Sequence, residues 1–250
     1  MSPVPALVLT GPGSNREHEA AFALERAGAH SRIVSVRELA ESAALLRDAA
    51  LLVIAGGFSY GDALGSGRLL ALDIQTRLAV QFAEFVARER PVLGICNGFQ
   101  TLIRAGVLPG ALGHNGHGRF ECRWVTLAPT STRCIWTSGL DEPITCPVAH
   151  GEGRYVIDDE GLTSLFGDDR VALTYTRPDA KPADGSYPYN PNGSMADIAG
   201  VCDERGLVLG LMPHPEDHVI GRQHPRATRG ESRGLGLRLF ESGVKHARTS

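Results

Sequence analysis

Short apolar runs alternate with helix-patterned segments through the first hundred residues, and this alternation constrains the chain more than any other feature. Pro5 to Thr10 (PALVLT) reads as a buried strand that ends at Gly11-Pro12-Gly13. Glu17 to Ala27 then carries Ala20, Ala21, Leu24 and Ala27 at helical spacing, with acidic residues early, where the helix dipole favours them. Ser31 to Val36 is a second strand, Glu38 to Ala50 a second helix, and Leu51 to Ala55 a third strand stopped by Gly56-Gly57. Arg68 to Arg88 places Leu69, Leu72, Leu78, Phe82, Phe85 and Val86 on one broad face, which predicts a single long helix. A fourth, wholly apolar strand follows from Pro91 to Ile95. Strands that alternate with helices and lack polar alternation are covered on both faces, as in a parallel sheet. The expected fold class is α/β, a doubly wound, mostly parallel sheet with flanking helices.

The second half reads differently. Phe120 to Leu127 and Thr132 to Thr137 are β-rich and closely spaced, and Thr145 to Ala149 and Arg170 to Tyr175 add two more strands, which predicts a small antiparallel β patch. Asp179 to Met195 (DAKPADGSYPYNPNGSM) is a polar, proline-rich loop of a length unusual inside a compact domain, hence functional or mobile. Ala196 to Val201 and Leu207 to Leu211 return to the sheet, and Leu235 to Ala247 closes the chain as a helix. No repeat, heptad pattern or linker divides the 250 residues, so a single domain over 1–250 is expected.

A net charge of −3 without a basic stripe argues against a nucleic-acid partner. No run approaches the roughly 18 apolar residues of a membrane span, and Met1-Ser2-Pro3 begins no signal peptide. Cys96, Cys122, Cys134, Cys146 and Cys202 are odd in number, widely spaced and free of any C-x-x-C pair, which makes a poor disulfide framework and a poor zinc ribbon. The expectation is a soluble, cytosolic chain with at least one free thiol.

The sharpest local signal is Gly94-Ile95-Cys96-Asn97-Gly98, between the strand PVLGI and the helix-patterned GFQTLIRAG. A nucleophile on a tight strand-to-helix turn needs glycine two residues to either side, because a side chain there collides with the turn. The helix N-terminus favours a thiolate, and the Asn97 amide would face the oxygen of an attacked carbonyl. The plainer alternative is a small core residue at a strand end. A base must come from elsewhere, and Leu211 to His218 (LMPHPEDH) follows another apolar strand. Pro213 and Pro215 hold that segment extended, so His214 and Glu216 share a face and the carboxylate can orient the imidazole. Zinc on His214 and His218 competes, but four-residue spacing needs a helix, which the prolines oppose. Gly56 to Asp62 (GGFSYGD) is either an ordinary tight turn or a loop whose amides approach a ligand and supply a second oxyanion donor. His150-Gly151-Glu152-Gly153-Arg154 reads as a functional loop or a surface turn, as does His114-Asn115-Gly116-His117-Gly118, whose two His could also bind adventitious metal; arginines 222, 226, 229, 233 and 238 could face a phosphate or a partner, but a solvated basic face is the plainer reading.

Taken together, GICNGFQ, MPHPE and GGFSYGD resemble the class I (triad) glutamine amidotransferases, and more narrowly the glutaminase components of phosphoribosylformylglycinamidine synthase. The likeness runs from about Ala6 to the C-terminal helix. Its narrower part rests on GGFSYGD, on Asn115, Arg119 and Phe120 leading into FECRW, on AHGEGRY (Ala149 to Tyr155), and on NPNGS followed by IAGV. The resemblance implies a flavodoxin-like fold, Cys96 as nucleophile with His214 and Glu216, Gly57 and Asn97 as oxyanion hole, and Gln100 and Asn115 as contacts of the substrate glutamine. It implies no cofactor and no metal in this chain, with ATP and magnesium on a large synthase subunit that takes the ammonia, and leaves room for a further small subunit. Ser14-Asn15-Arg16 stands where the family usually has Thr-Asn-Cys, and His117 where it commonly has Ser. The rivals are an amidotransferase serving another synthase (for CTP, GMP or anthranilate), a silent regulatory subunit on the same fold, and a peptide-directed cysteine hydrolase.

Overall fold

The computed structural model describes residues 3–249. Its elements follow in the order β1 (Val4–Thr10), α1 (Glu17–Arg26), β2 (Ala29–Ser35), α2 (Val36–Glu41), α3 (Ala43–Asp48), β3 (Leu51–Ile54), α4 (Arg68–Thr76), α5 (Ala79–Ala87), β4 (Val92–Ile95) and α6 (Asn97–Arg104). The second half adds β5 (Ala111–Gly113), β6 (Glu121–Pro129), β7 (Ile144–His150), β8 (Arg154–Val156), α7 (Asp159–Gly167), β9 (Val171–Thr176), β10 (Ile198–Cys202), β11 (Val208–Leu211) and α8 (Leu237–Ala247).

Nine strands form one sheet in the order β2-β1-β3-β4-β11-β10-β9-β6-β7, and β5 pairs with β8 in a separate antiparallel ribbon. From β2 to β11 every neighbour is parallel, and from β11 to β7 every neighbour is antiparallel. The expected α/β fold is therefore present, with the antiparallel strands continuing the parallel sheet. β3 and β4 are buried along their whole length, as their unbroken apolar sequence requires. One contiguous core runs from Val4 to Val244 and takes in both halves.

Register positions the chemistry. Ile54 of β3 lies beside Gly94 of β4, and Leu211 of β11 lies beside Ile95 of β4. The segments that leave these three strands therefore emerge side by side at their C-terminal ends, where open α/β sheets place their sites. The antiparallel end curls back over them, since the His214 amide donates to Pro147 O of β7 at 2.8 Å.

Several expected elements differ. The helix expected over 38–50 is two: Ser35 caps α2 in a reciprocal capping box with Glu38, and the chain breaks at Ser42, whose backbone is non-helical (φ −139°, ψ 87°). The single helix over 68–88 breaks at Leu78, which leaves helical geometry to bury its side chain. Within α4, Leu72 faces outward, and Leu70, Ala71 and Ile74 form the inner face. Thr132 to Thr137 is not a strand but a turn, because Ser131 and Asp169 side chains accept the amides of Thr132, Arg133 and Cys134 that a strand would offer a neighbour. Short β5 and β8 carry no distinctive sequence pattern, and α7 begins on Asp158, whose side chain accepts the Gly161 amide. The 179–195 loop is tied down at its far end by buried Asn190, Asn192 and Ser194.

Trp136, in the turn expected to be a strand, is fully buried and its indole donates to Leu207 O at 2.9 Å. Trp136→Ala is expected to cost about 4 kcal/mol of unfolding free energy, measured by urea titration, because it leaves both a cavity and an orphaned carbonyl.

Candidate active site

Cys96 sits between β4 and α6 with φ 50° and ψ −103°, a conformation that non-glycine residues hold only under constraint from their surroundings. The constraint is steric. A Cβ on Gly94 would lie 2.5 Å from Leu102 Cδ1 and 2.7 Å from Gly98 O, and one on Gly98 would lie 2.1 Å from Ile54 O. Both elbow glycines are thus places where no side chain fits. The turn leaves the thiol almost fully buried, 3.8 Å from Ala149 O of the curled-back β7, at the N-terminus of α6 whose first amides have no partner within the helix.

His214 follows β11, and its Nδ1 is 2.7 Å from Glu216 Oε1, both side chains buried. The sequence suggested an extended segment here. Instead Pro215–Asp217 forms a single 3₁₀ turn, and that turn, not an alternating chain, folds Glu216 back onto the imidazole. Burial works against the charged imidazole, but Glu216 and then the Cys96 thiol outweigh it and hold the His214 pKa well above its ordinary value. Gly56 makes room for the ring, since a Cβ there would lie 2.8 Å from His214 Cε1. Asp217 is lifted to about 6 by burial and by neighbouring Glu216. His218 turns the other way, its Nδ1 2.6 Å from Thr145 O and its ring edge-on to Trp124, so it shares no ligand space with His214.

The GGFSYGD segment lies across the elbow. Gly57 has φ 127°, and a Cβ there would lie 2.6 Å from the Asn15 amide, so only glycine lets the Ser14-Asn15 turn and this loop meet. Ser59 N donates to Asn97 Oδ1 at 3.2 Å, which ties the loop that carries Gly57 to the first residue of α6. Gln100 and Asn115 are buried in the wall of the site, and their amides are occupied there. Gln100 Nε2 donates to Glu152 O at 2.6 Å, while Asn115 donates to Arg119 O and His150 O and accepts from Gly153 N. Both amides thereby hold the 150–153 turn.

His150 is buried in this wall with Nδ1 3.0 Å from Asn115 Oδ1 and Nε2 3.5 Å from Asn192 Nδ2, so the ambiguous AHGEGRY segment is part of the site. Burial first, and then the charge of His214, push its pKa down to about 4. Asn192 also donates to Gly153 O and Tyr175 OH, which makes the polar 179–195 loop a brace for the wall. That role was invisible in sequence, where Asn192 sits in a loop with no periodicity. In the other glycine loop, His117 Nε2 is 3.0 Å from Glu121 Oε2. Of the arginines, Arg226 pairs with Glu231 and Arg238 with Asp141 on the surface. Among the described residues no group of three or more His, Cys, Asp or Glu could hold a metal ion, and no helix is long and apolar enough to cross a membrane.

The chain matches the CobB/CobQ-like glutamine amidotransferase domain over residues 4–247. It is 46% identical to phosphoribosylformylglycinamidine synthase subunit PurQ of Treponema denticola, over 96% of this chain and 98% of that one. The corresponding subunit of Dehalococcoides mccartyi is 41% identical over 99% of both chains. Among solved structures, a chain of PurLQS from Thermotoga maritima superposes with a TM-score of 0.77 at 35% identity, covering 98% of this chain and 99% of that one.

Two outcomes follow from the geometry. Gly56→Ala should displace the His214 ring and lower turnover about tenfold or more with little change in melting temperature, read by steady-state kinetics and calorimetry. His150 takes a proton near pH 6.5 when unfolded but only near pH 4 when folded, so stability should fall as pH drops through that window. The contribution is roughly 3 kcal/mol, and urea titrations of His150→Asn against the parent at pH 7 and pH 4 should show the fall reduced by about that amount.

Proposed function

This chain belongs to the CobB/CobQ-like glutamine amidotransferases, and within them to the PurQ subunits of phosphoribosylformylglycinamidine synthase, and from that premise we propose that Cys96, His214 and Glu216 release ammonia from L-glutamine for a synthase partner. The observation that carries this reading is the meeting of three strand ends, which sets the thiol, the carboxylate-backed imidazole and the Gly57 loop around one point.

The Cys96 thiolate attacks the carboxamide carbon of glutamine, and the Gly57 and Asn97 amides donate to the oxyanion of the tetrahedral intermediate. His214 gives its proton to the departing nitrogen, the C–N bond breaks, and ammonia leaves a glutamyl thioester on Cys96. His214, now neutral, takes a proton from water, whose oxygen attacks the thioester. The C–S bond breaks, glutamate leaves and the thiolate returns. Glu216 holds Nδ1 so that Nε2 serves these transfers, and stabilises the imidazolium between them. Gln100 and Asn115 contact the substrate glutamine in this reading, and they also fix the 150–153 turn beside it.

The ammonia goes to a large synthase subunit, which uses ATP and magnesium to convert formylglycinamide ribonucleotide to formylglycinamidine ribonucleotide; the reaction on this chain uses water alone. The full-length likeness to a chain of PurLQS supports partnership with PurL and PurS counterparts. Five free cysteines, four of them buried, suit work in the reducing cytoplasm.

Glutamate release by the chain assembled with its synthase partner, ATP and the ribonucleotide is expected to fall at least about 10⁴-fold in Cys96→Ala, and by less in Glu216→Gln, which keeps the imidazole but loses its counter-charge. Release that persists in Cys96→Ala would end the thioester reading, and cleavage of peptides without any of glutamine would move the chain to the hydrolases.

A further inference from the structure

One buried side chain joins the elbow to the loop that crosses it. Asn97 Oδ1 accepts the Ser59 amide at 3.2 Å, and its Nδ2 donates to Asp62 Oδ1 and to Gln100 Oε1, each at 3.0 Å. Asn97 is fully buried, and every donor its amide owns is used within the protein. Its backbone amide is one of the two oxyanion donors proposed above. The other, Gly57, lies two residues before Ser59, so the Asn97 side chain grips the loop that carries the second donor.

The grip has two points, Ser59 and Asp62, and the backbone from Tyr60 to Asp62 is left-handed. Tyr60, Gly61 and Asp62 have φ of 56°, 63° and 53°. Non-glycine residues stay in that region only where contacts over-determine it. The contacts here are specific: the Tyr60 hydroxyl reaches Asp73 on α4, and Asp62 is hydrogen-bonded by Asn97, by the Ser66 side chain and by the Gly67 backbone. Gly67 in turn abuts α6, where an added Cβ would lie 2.7 Å from Thr101 N. The run of left-handed residues swings Asp62 back onto the elbow, and the loop is clamped to α6 at both ends.

We propose that Asp62 is a positioning residue of the amidotransferase reaction, which through the Asn97 side chain fixes the separation of the Gly57 and Asn97 amides at the oxyanion. This rests on the functional reading above and deepens it. Donors that are held in place act on the transition state, where the negative oxygen exists, more than on the bound amide, so loosening them lowers turnover more than it weakens substrate binding.

The test uses the full chain assembled with its synthase partner and compares Asp62→Ala with Asp62→Asn, whose side-chain oxygen still accepts from Asn97. Three quantities are read: kcat for glutamine, KM for glutamine, and the rate at which iodoacetamide alkylates Cys96, a substitution that forms no tetrahedral oxyanion. Asp62→Ala is expected to lower kcat about 10- to 100-fold, with KM within about threefold and alkylation within about twofold of the parent. Asp62→Asn is expected to recover most of kcat. The proposal is overturned by kcat unchanged in Asp62→Ala, by a loss borne by KM, by alkylation falling in step with kcat, or by Asp62→Asn as impaired as the alanine variant. Asp62→Leu, close in volume and without an acceptor, gives the same comparison if the alanine variant does not fold. All these failures require an active parent. A parent inert towards glutamine would overturn the functional reading and this proposal together.

Discussion

The close approach of α6 to the end of β3 is the contact on which the rest of the site depends. The backbone at Gly98 comes so near the Ile54 carbonyl that a methyl group could not be placed there, and Gly94 is closed in by Leu102 and Gly98. Parallel strands and their crossover helix must pack in this way before Cys96 can hold a positive φ. Once it does, the thiol, the first amide of α6 and the Gly57 loop share one small volume. The strain at Cys96 is local, and it is balanced by the burial of β3, β4 and β11, which are apolar throughout.

The second constraint is electrostatic. His214 and Glu216 are both removed from water, which is costly for either charge alone. They are tolerable because each neutralises the other at hydrogen-bond distance and the Cys96 side chain adds a further favourable interaction with the imidazolium. For His150 the pull of Glu121 is outweighed, first by burial and then by the charge of His214, and the ring is held in the neutral form. Two histidines in one site are thereby driven in opposite directions, one to carry a proton and one to refuse it. The uncharged one is free to act as a hydrogen-bonding strut between Asn115 and Asn192.

Much of this was legible in the chain. Glycines two residues either side of Cys96 announce the elbow, because a tight strand-to-helix turn excludes side chains at those places. The pairing of His214 with Glu216 was readable too, though for a partly mistaken reason: a 3₁₀ turn rather than an extended segment joins them. Helix breaks at Ser42 and Leu78 were not readable, since apolar periodicity continues across both; at Leu78 the side chain is buried in the core. The brace formed by Asn192, and the clamp of Asn97 on Ser59 and Asp62, join residues between 17 and 42 positions apart and leave no local trace.

By itself the sequence determined the strand-and-helix alternation, the parallel half of the sheet, and the residue types capable of the chemistry. Those properties are local, arising from hydrophobic period, glycine sterics and side-chain chemistry within a few residues of one another. Tertiary structure alone decided that β11 lies beside β4, that β7 curls back until Pro147 meets the His214 amide, and that a polar loop near the end of the chain supports the wall facing Cys96. Such arrangements depend on register and on hydrogen-bond partners far apart in the chain, and become defined only when the buried polar groups have found one another.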